Sequence, residues 1–147
     1  MNILNQPPQY DPRLVQPMRE ELTRIGFTEL RTSAEVDALL GSEQAPTLLV
    51  VNSVCGCAAG VARPAVAAAL RAAAHRPARL ATVFAGQDVA ATARAREYLA
   101  GHPPSSPCLA LLKDGRVVWM LERARILGRD PRDVAADVVT AFEEWCR

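Results

Sequence analysis

Six consecutive residues, Thr47-Leu48-Leu49-Val50-Val51-Asn52, are apolar almost throughout, so an extended segment there needs cover on both faces. Such a strand belongs in the middle of a sheet with helices on either side. It runs directly into Ser53-Val54-Cys55-Gly56-Cys57, and the stretch from Ala58 to Ala74 then has the alanine-rich composition of a helix. Two thiols therefore sit at a strand-to-helix junction. Free N–H groups and the positive end of a helix dipole favour thiolate over thiol at such a place.

The rest of the chain alternates around that junction. Residues 1 to 9 are polar and proline-containing and read as a surface arm. Asp11-Pro12 opens a helix whose apolar stripe is Leu14, Met18, Leu22 and Ile25; Pro17 predicts a kinked or separate first turn, and Gly26 closes the helix. Phe27 to Leu30 is a short strand. Thr32-Ser33-Ala34-Glu35 has the capping-box form, with Val36, Leu39 and Leu40 on the buried side of a second helix, and Gly41 to Pro46 is a loop. Pro64 predicts a kink about two turns into the helix after Cys57.

Leu80 to Phe84 follows as a strand, and Asp88 caps a helix running to about Leu99. A rigid loop from Gly101 to Pro107 leads into the strand Cys108 to Leu112. Asp114-Gly115 is a two-residue hairpin signal before Val117 to Leu121, and Glu122 to Gly128 reads as a connection without regular structure. Asp130-Pro131 starts a last helix with Val134, Val138, Ala141 and Trp145 inward. The expected fold is α/β: a mainly parallel central sheet, helices on both faces and an antiparallel C-terminal hairpin.

A chain of 147 residues, half of them hydrophobic, suits a single domain with a sizeable core. Seventeen basic and sixteen acidic side chains give a net charge of +1, which leaves no electrostatic footprint for nucleic acid or an anionic membrane surface. No apolar run approaches the ~18 residues that span a bilayer, and the N-terminus lacks a basic region followed by an apolar one, so the expected location is cytoplasmic. In that reducing compartment the four cysteines are not expected to be permanent staples, and a close pair is redox-active, redox-sensing or metal-binding.

The central strand, cysteine-containing turn, kinked helix, later Ser-Pro and Asp-Gly hairpin resemble the thioredoxin fold. More narrowly, Val51 to Gly60 with its Cys55-Gly56-Cys57, Val83-Phe84-Ala85-Gly86-Gln87-Asp88, Pro103-Pro104-Ser105-Ser106-Pro107 and Leu111-Leu112-Lys113-Asp114-Gly115 resemble the bacilliredoxin family, over about Tyr10 to Cys146. The resemblance implies a thiol-disulfide oxidoreductase that removes bacillithiol from mixed disulfides on client proteins. It implies Cys55 as the attacking thiolate, Cys57 as its redox partner, and Pro107 as the cis proline lying against the active-site turn. Bacillithiol is then a co-substrate and no other cofactor is expected; partners are bacillithiolated clients and a low-molecular-weight thiol, with a homodimer left open. Ordinary thioredoxins have two residues between their cysteines, a Trp before the first, and a buried acid in the central strand where this chain has Leu49. Proton transfer must then use water or Cys57 itself.

Part of this chemistry follows from the spacing alone. Cα atoms two residues apart are at most ~7 Å from one another, against a disulfide window of ~4.4 to 6.8 Å, so the pair closes only as a small ring and Gly56 supplies the backbone freedom. A tight ring is easily reduced, which favours isomerase or thiol-transfer work over reduction of stable disulfides. Competing readings are a protein disulfide isomerase or generic thioredoxin-like reductase, a metal module using Cys55, Cys57, Cys108 and His102, and a non-enzymatic scaffold. Cys108 is expected as a packed core residue, Cys146 as an incidental thiol and His75 as a surface group. Arg63 either attracts an anionic small thiol or is a solvated helix side chain.

Overall fold

The apolar segment Thr47–Asn52 forms strand β2, buried along its whole length. In a computed structural model that describes residues 7–41 and 45–147, the chain around it builds α1 (Pro12–Thr23), β1 (Thr28–Glu29), α2 (Ser33–Leu40), then β2, α3 (Arg63–Ala72), β3 (Arg79–Phe84), α4 (Val89–Tyr98), β4 (Cys108–Lys113), β5 (Arg116–Leu121) and α5 (Pro131–Trp145). Residues 1–6 of the expected arm and 42–44 of the expected loop lie outside the described residues.

The sheet order is β1-β3-β2-β4-β5, with β1, β3 and β2 parallel. Strand β4 lies antiparallel to β2, with Cys108 opposite Val51, and pairs antiparallel with β5. Direction therefore reverses at β4, the first strand of the hairpin, which lies beside the central strand. The hairpin turn is where expected: Asp114 and Gly115 both take positive φ, 55° and 75°, the backbone shape that a two-residue turn matching strand twist demands.

Alternation along β2 divides the core. Leu48 and Val50 pack with Leu22 of α1, Val66 of α3 and Phe142 of α5; Leu49 and Val51 face Val36 and Leu40 of α2 and Ala91 and Ala95 of α4. The expected strand with both faces covered is what forms, and helices occupy both sides of it.

Several local expectations change. Helix α1 runs unbroken through Pro17 and buries Val15, Arg19 and Leu22, while Leu14 is 53% exposed. A buried Arg19 turns the helix from the apolar stripe: its guanidinium holds Asp88 at 2.7 and 3.1 Å and Glu29 at 3.1 Å. That explains a second difference. Asp88 sits at the start of α4, but its carboxylate is taken by Arg19 and makes no cap bond. The break expected near Pro64 appears as a π-helical turn over Ala58–Ala62, in which Arg63 N–H reaches back to the Ala58 carbonyl before α3 begins. The connection after β5 is also structured, with a 3-10 turn at Arg123–Arg125 anchored by the fully buried Ile126.

Two leucines of α1 test this placement. Leu22→Ala should cost about 2–5 kcal/mol in urea denaturation, because it empties a core position, whereas Leu14→Ala should change stability by less than about 0.5 kcal/mol.

Candidate active site

The turn after β2 is held from beneath by one buried cation. Arg63 is 3% exposed, and its Nη1 donates to Asn52 Oδ1 at 2.8 Å and to the Ser53 carbonyl at 3.0 Å. Its Nε donates to Glu21 Oε2 at 3.0 Å, tying α3 to α1. Asn52 Nδ2 in turn donates to the Met18 carbonyl, and Ser53 N–H to Asn52 Oδ1. Cys55 N–H then donates to Ser53 Oγ at 3.0 Å. Both sequence readings of Arg63 are corrected: it is neither solvated nor in reach of a ligand, but fixes the backbone that presents Cys55.

Cys55 is half-buried, Cys57 is buried, and both are free thiols. Their sulfurs lie 2.7 Å apart, and Cys57 N–H points at Cys55 Sγ from 3.4 Å. Gly56 between them is exposed; a Cβ there would meet nothing within 4 Å and its φ is not positive, so the dithiol form does not itself require glycine.

The two thiols are electrostatically unequal. Burial raises the Cys55 thiol, but donation from the Cys57 thiol, the Cys57 N–H, the Arg123 guanidinium and the Ala58 N–H together outweigh it and bring it down to about 7. Burial pushes Cys57 upward, and donating its proton to Cys55 pushes it further the same way. A thiolate at Cys55 beside a neutral thiol at Cys57 is the stable arrangement near neutral pH.

Arg123, from the 3-10 turn after β5, reaches Cys55 Sγ at 3.5 Å. Its own N–H donates to Ser105 Oγ at 2.7 Å, which ties that turn to the loop before β4. In the same loop the Ser106–Pro107 peptide is cis, Pro107 is buried, and Ser106 lines a cavity together with Cys55. The structure thus brings together Cys55, Gly56, Cys57 and the Ser106–Pro107 loop.

Other candidates lie elsewhere. Cys108 is 1% exposed in the core beneath α2 and α4, and burial pushes its thiol to about 12; the Cys55–Cys57 turn packs against the opposite core. His102 faces Glu122 with Nδ1 3.8 Å from the carboxylate, and His75 is exposed. Cys146 is half-buried at the end of α5, where burial raises its thiol. Among the described residues no group of three or more His, Cys, Asp or Glu is placed to hold a metal ion, so the four-ligand set of the metal reading does not assemble.

Comparison with known proteins agrees with this geometry. The model of a family described as disulphide isomerase matches residues 10–146. A bacilliredoxin from Salinibacter ruber is 57% identical over 138 residues, spanning 93% of this chain and 81% of that one. A bacilliredoxin from Geobacillus kaustophilus is 50% identical over 137 residues, spanning 93% of this chain and 94% of that one. The chain belongs to the bacilliredoxin family. The fold is thioredoxin-like: the crystal structure of oxidized thioredoxin O2 from Arabidopsis thaliana aligns with a TM-score of 0.55 at 15% identity, over 84% of this chain and 97% of that one. Bacilliredoxin membership and this fold place the chain among thiol-disulfide oxidoreductases. Among the described residues no helix is long and apolar enough to cross a membrane.

In this bacilliredoxin site, sequence reasoning missed Arg123, Ser53 and Asn52. A signal for Arg123 existed in the topology: Leu121 pairs with Leu109, which pairs with Val50, so whatever follows β5 lands at the end of β2 where Cys55 sits. Glu122 to Gly128 carries charged side chains at that position.

Two outcomes follow. Arg63→Met should lower stability by about 2 kcal/mol in urea denaturation, since the Ser53 carbonyl and Asn52 lose a charge-assisted partner. Arg123→Ala should slow iodoacetamide alkylation of Cys55 at pH 7 by roughly two- to threefold, because less of the thiol is ionised. The two rates should converge above about pH 9, where both proteins carry the thiolate.

Proposed function

We propose that this protein removes bacillithiol from mixed disulfides on client proteins, with Cys55 attacking and Cys57 resolving. The observation that carries the reading is the asymmetric pair: an accessible thiol lowered to about 7, 2.7 Å from a buried thiol held above its usual range. The naming of the relatives supports bacillithiol as the small thiol.

Cys55 thiolate attacks the bacillithiol sulfur of the mixed disulfide. The new S–S bond joins Cys55 to bacillithiol, and the electron pair of the broken bond leaves on the client's sulfur, which takes a proton from water. Capping Cys55 removes both the charge and the hydrogen-bond acceptor that hold the Cys57 proton. Cys57 then ionises more readily and attacks Cys55 Sγ, releasing bacillithiol and closing the Cys55–Cys57 disulfide. The order of steps follows from that coupling. Gly56 would serve the closing step, where the small ring needs backbone freedom.

A disulfide isomerase is the second reading, favoured by the description of the matching family. Single-turnover release of bacillithiol from a bacillithiolated model protein, with adducts read by mass, separates the two. Wild type should release the client and end as the intramolecular disulfide. Cys57→Ser should release it once and retain bacillithiol on Cys55, and Cys55→Ser should lose release by at least about 100-fold. Equal release by all three proteins would sink the proposal, and reshuffling of scrambled disulfides without release of bacillithiol would favour the isomerase.

A further inference from the structure

Beside Cys55 lies a groove of about 360 Å³, lined by Tyr10, Ser53, Cys55, Gly86, Arg96 and Ser106 among others. Its wall is built rather than incidental. Gln9 N–H donates to the Gly86 carbonyl at 2.9 Å, and the Gln87 side chain clasps the Tyr10 backbone through both its amide oxygen and its amide nitrogen. A Cβ at Gly86 would meet Gln9 Oε1 at 2.9 Å and the Tyr10 ring at 3.2 Å, so the end of the N-terminal arm is seated closely over that glycine.

Arg96 is the unexplained member of this lining. The two buried arginines, Arg19 and Arg63, each pair with carboxylates. Arg96 is partly buried, and among the described residues no carboxylate pairs with it. Its Nη2 makes one long bond, 3.5 Å, to the Ser105 carbonyl, and its buried Nε has no hydrogen-bond partner. A partly desolvated guanidinium without a counter-ion, in a groove that opens on a nucleophilic sulfur, is matched by a carboxylate brought with the substrate.

We infer that this groove is the subsite for a carboxylate-bearing low-molecular-weight thiol, with Arg96 binding the carboxylate so that the small thiol's sulfur, not the client's, meets Cys55. The inference rests on the proposed transfer reaction and adds the residue that holds the small thiol during it. It also assigns a cause to the direction of attack. A mixed disulfide offers two sulfurs, and holding the small thiol in the groove leaves the client's sulfur as the leaving group. Cys55 thiolate forms the new S–S bond, the old S–S bond breaks, and the client departs as thiolate.

The test uses one model protein carrying a single cysteine as a mixed disulfide with mercaptosuccinate, which is anionic, or with 2-mercaptoethanol, which is neutral. Each single-turnover rate is normalised to the rate with free dithiothreitol. Wild type should prefer the mercaptosuccinyl adduct by about tenfold, Arg96→Gln should abolish most of that preference, and Arg96→Lys should keep part of it. The ratio of iodoacetate to iodoacetamide alkylation of Cys55 should fall in Arg96→Gln as well. No charge preference in wild type, or equal slowing of both adducts by Arg96→Gln, would overturn the inference and leave Arg96 as a brace for the Ser105 loop. Wild-type preference is measurable even if a variant does not fold. The failures separate cleanly: release of bacillithiol without charge preference removes the subsite alone, and a charge preference without release of bacillithiol removes only the choice of that thiol.

Discussion

The buried guanidinium of Arg63 is the constraint on which the site depends. A cation 3% exposed is costly unless its donors are used, and here they are used on Asn52, Ser53 and Glu21, which belong to the end of β2, the turn and α1. The same residue sits where the π-helical turn gives way to α3. The wide turn, the charge and the strand end therefore fix one another, and the Ser53 hydroxyl passes that order on to the Cys55 backbone. A thiol presented this way stands just past the end of the central strand, with the N–H groups of Cys57 and Ala58 directed at it.

Asymmetry between two identical side chains is then a matter of placement. Cys57 faces the core and loses solvent; Cys55 stays half-buried and collects donors from Cys57, Ala58 and Arg123. Arg123 arrives from a distant part of the sequence because β5 runs in the same direction as β2, with β4 between them, and so ends at the same end of the sheet, and Ser105 holds it there. The Ser106–Pro107 loop and the end of the N-terminal arm line a groove that contains both a nucleophile and an arginine whose Nε has no hydrogen-bond partner and which has no ion-pair partner among the described residues.

Much of this was legible in the residues. The covered central strand, the thiol pair at its end, the Asp114-Gly115 turn and the inner face of α5 follow from patterns of two or four residues, where local chemistry decides structure. What escaped was long-range. The apolar stripe of α1 places Leu14 in the core, but Arg19 is buried instead, and partners 10 and 69 residues away, Glu29 and Asp88, make that tolerable. Asp88 reads as a helix cap until Arg19 claims it. Arg63 and Arg123 look alike in sequence, and tertiary placement alone makes one a brace and the other a thiolate partner.

The asymmetry of the pair can be read by site-specific titration of the two thiols through the 13Cβ chemical shifts of labelled cysteine in the reduced wild-type protein. Cys55 should titrate with a midpoint near 7 and Cys57 above its usual range. Two midpoints at the ordinary thiol value of about 8.5, or the reverse order, would contradict it. Equal midpoints would leave neither thiol favoured as the nucleophile, and the reverse order would make Cys57 the thiolate.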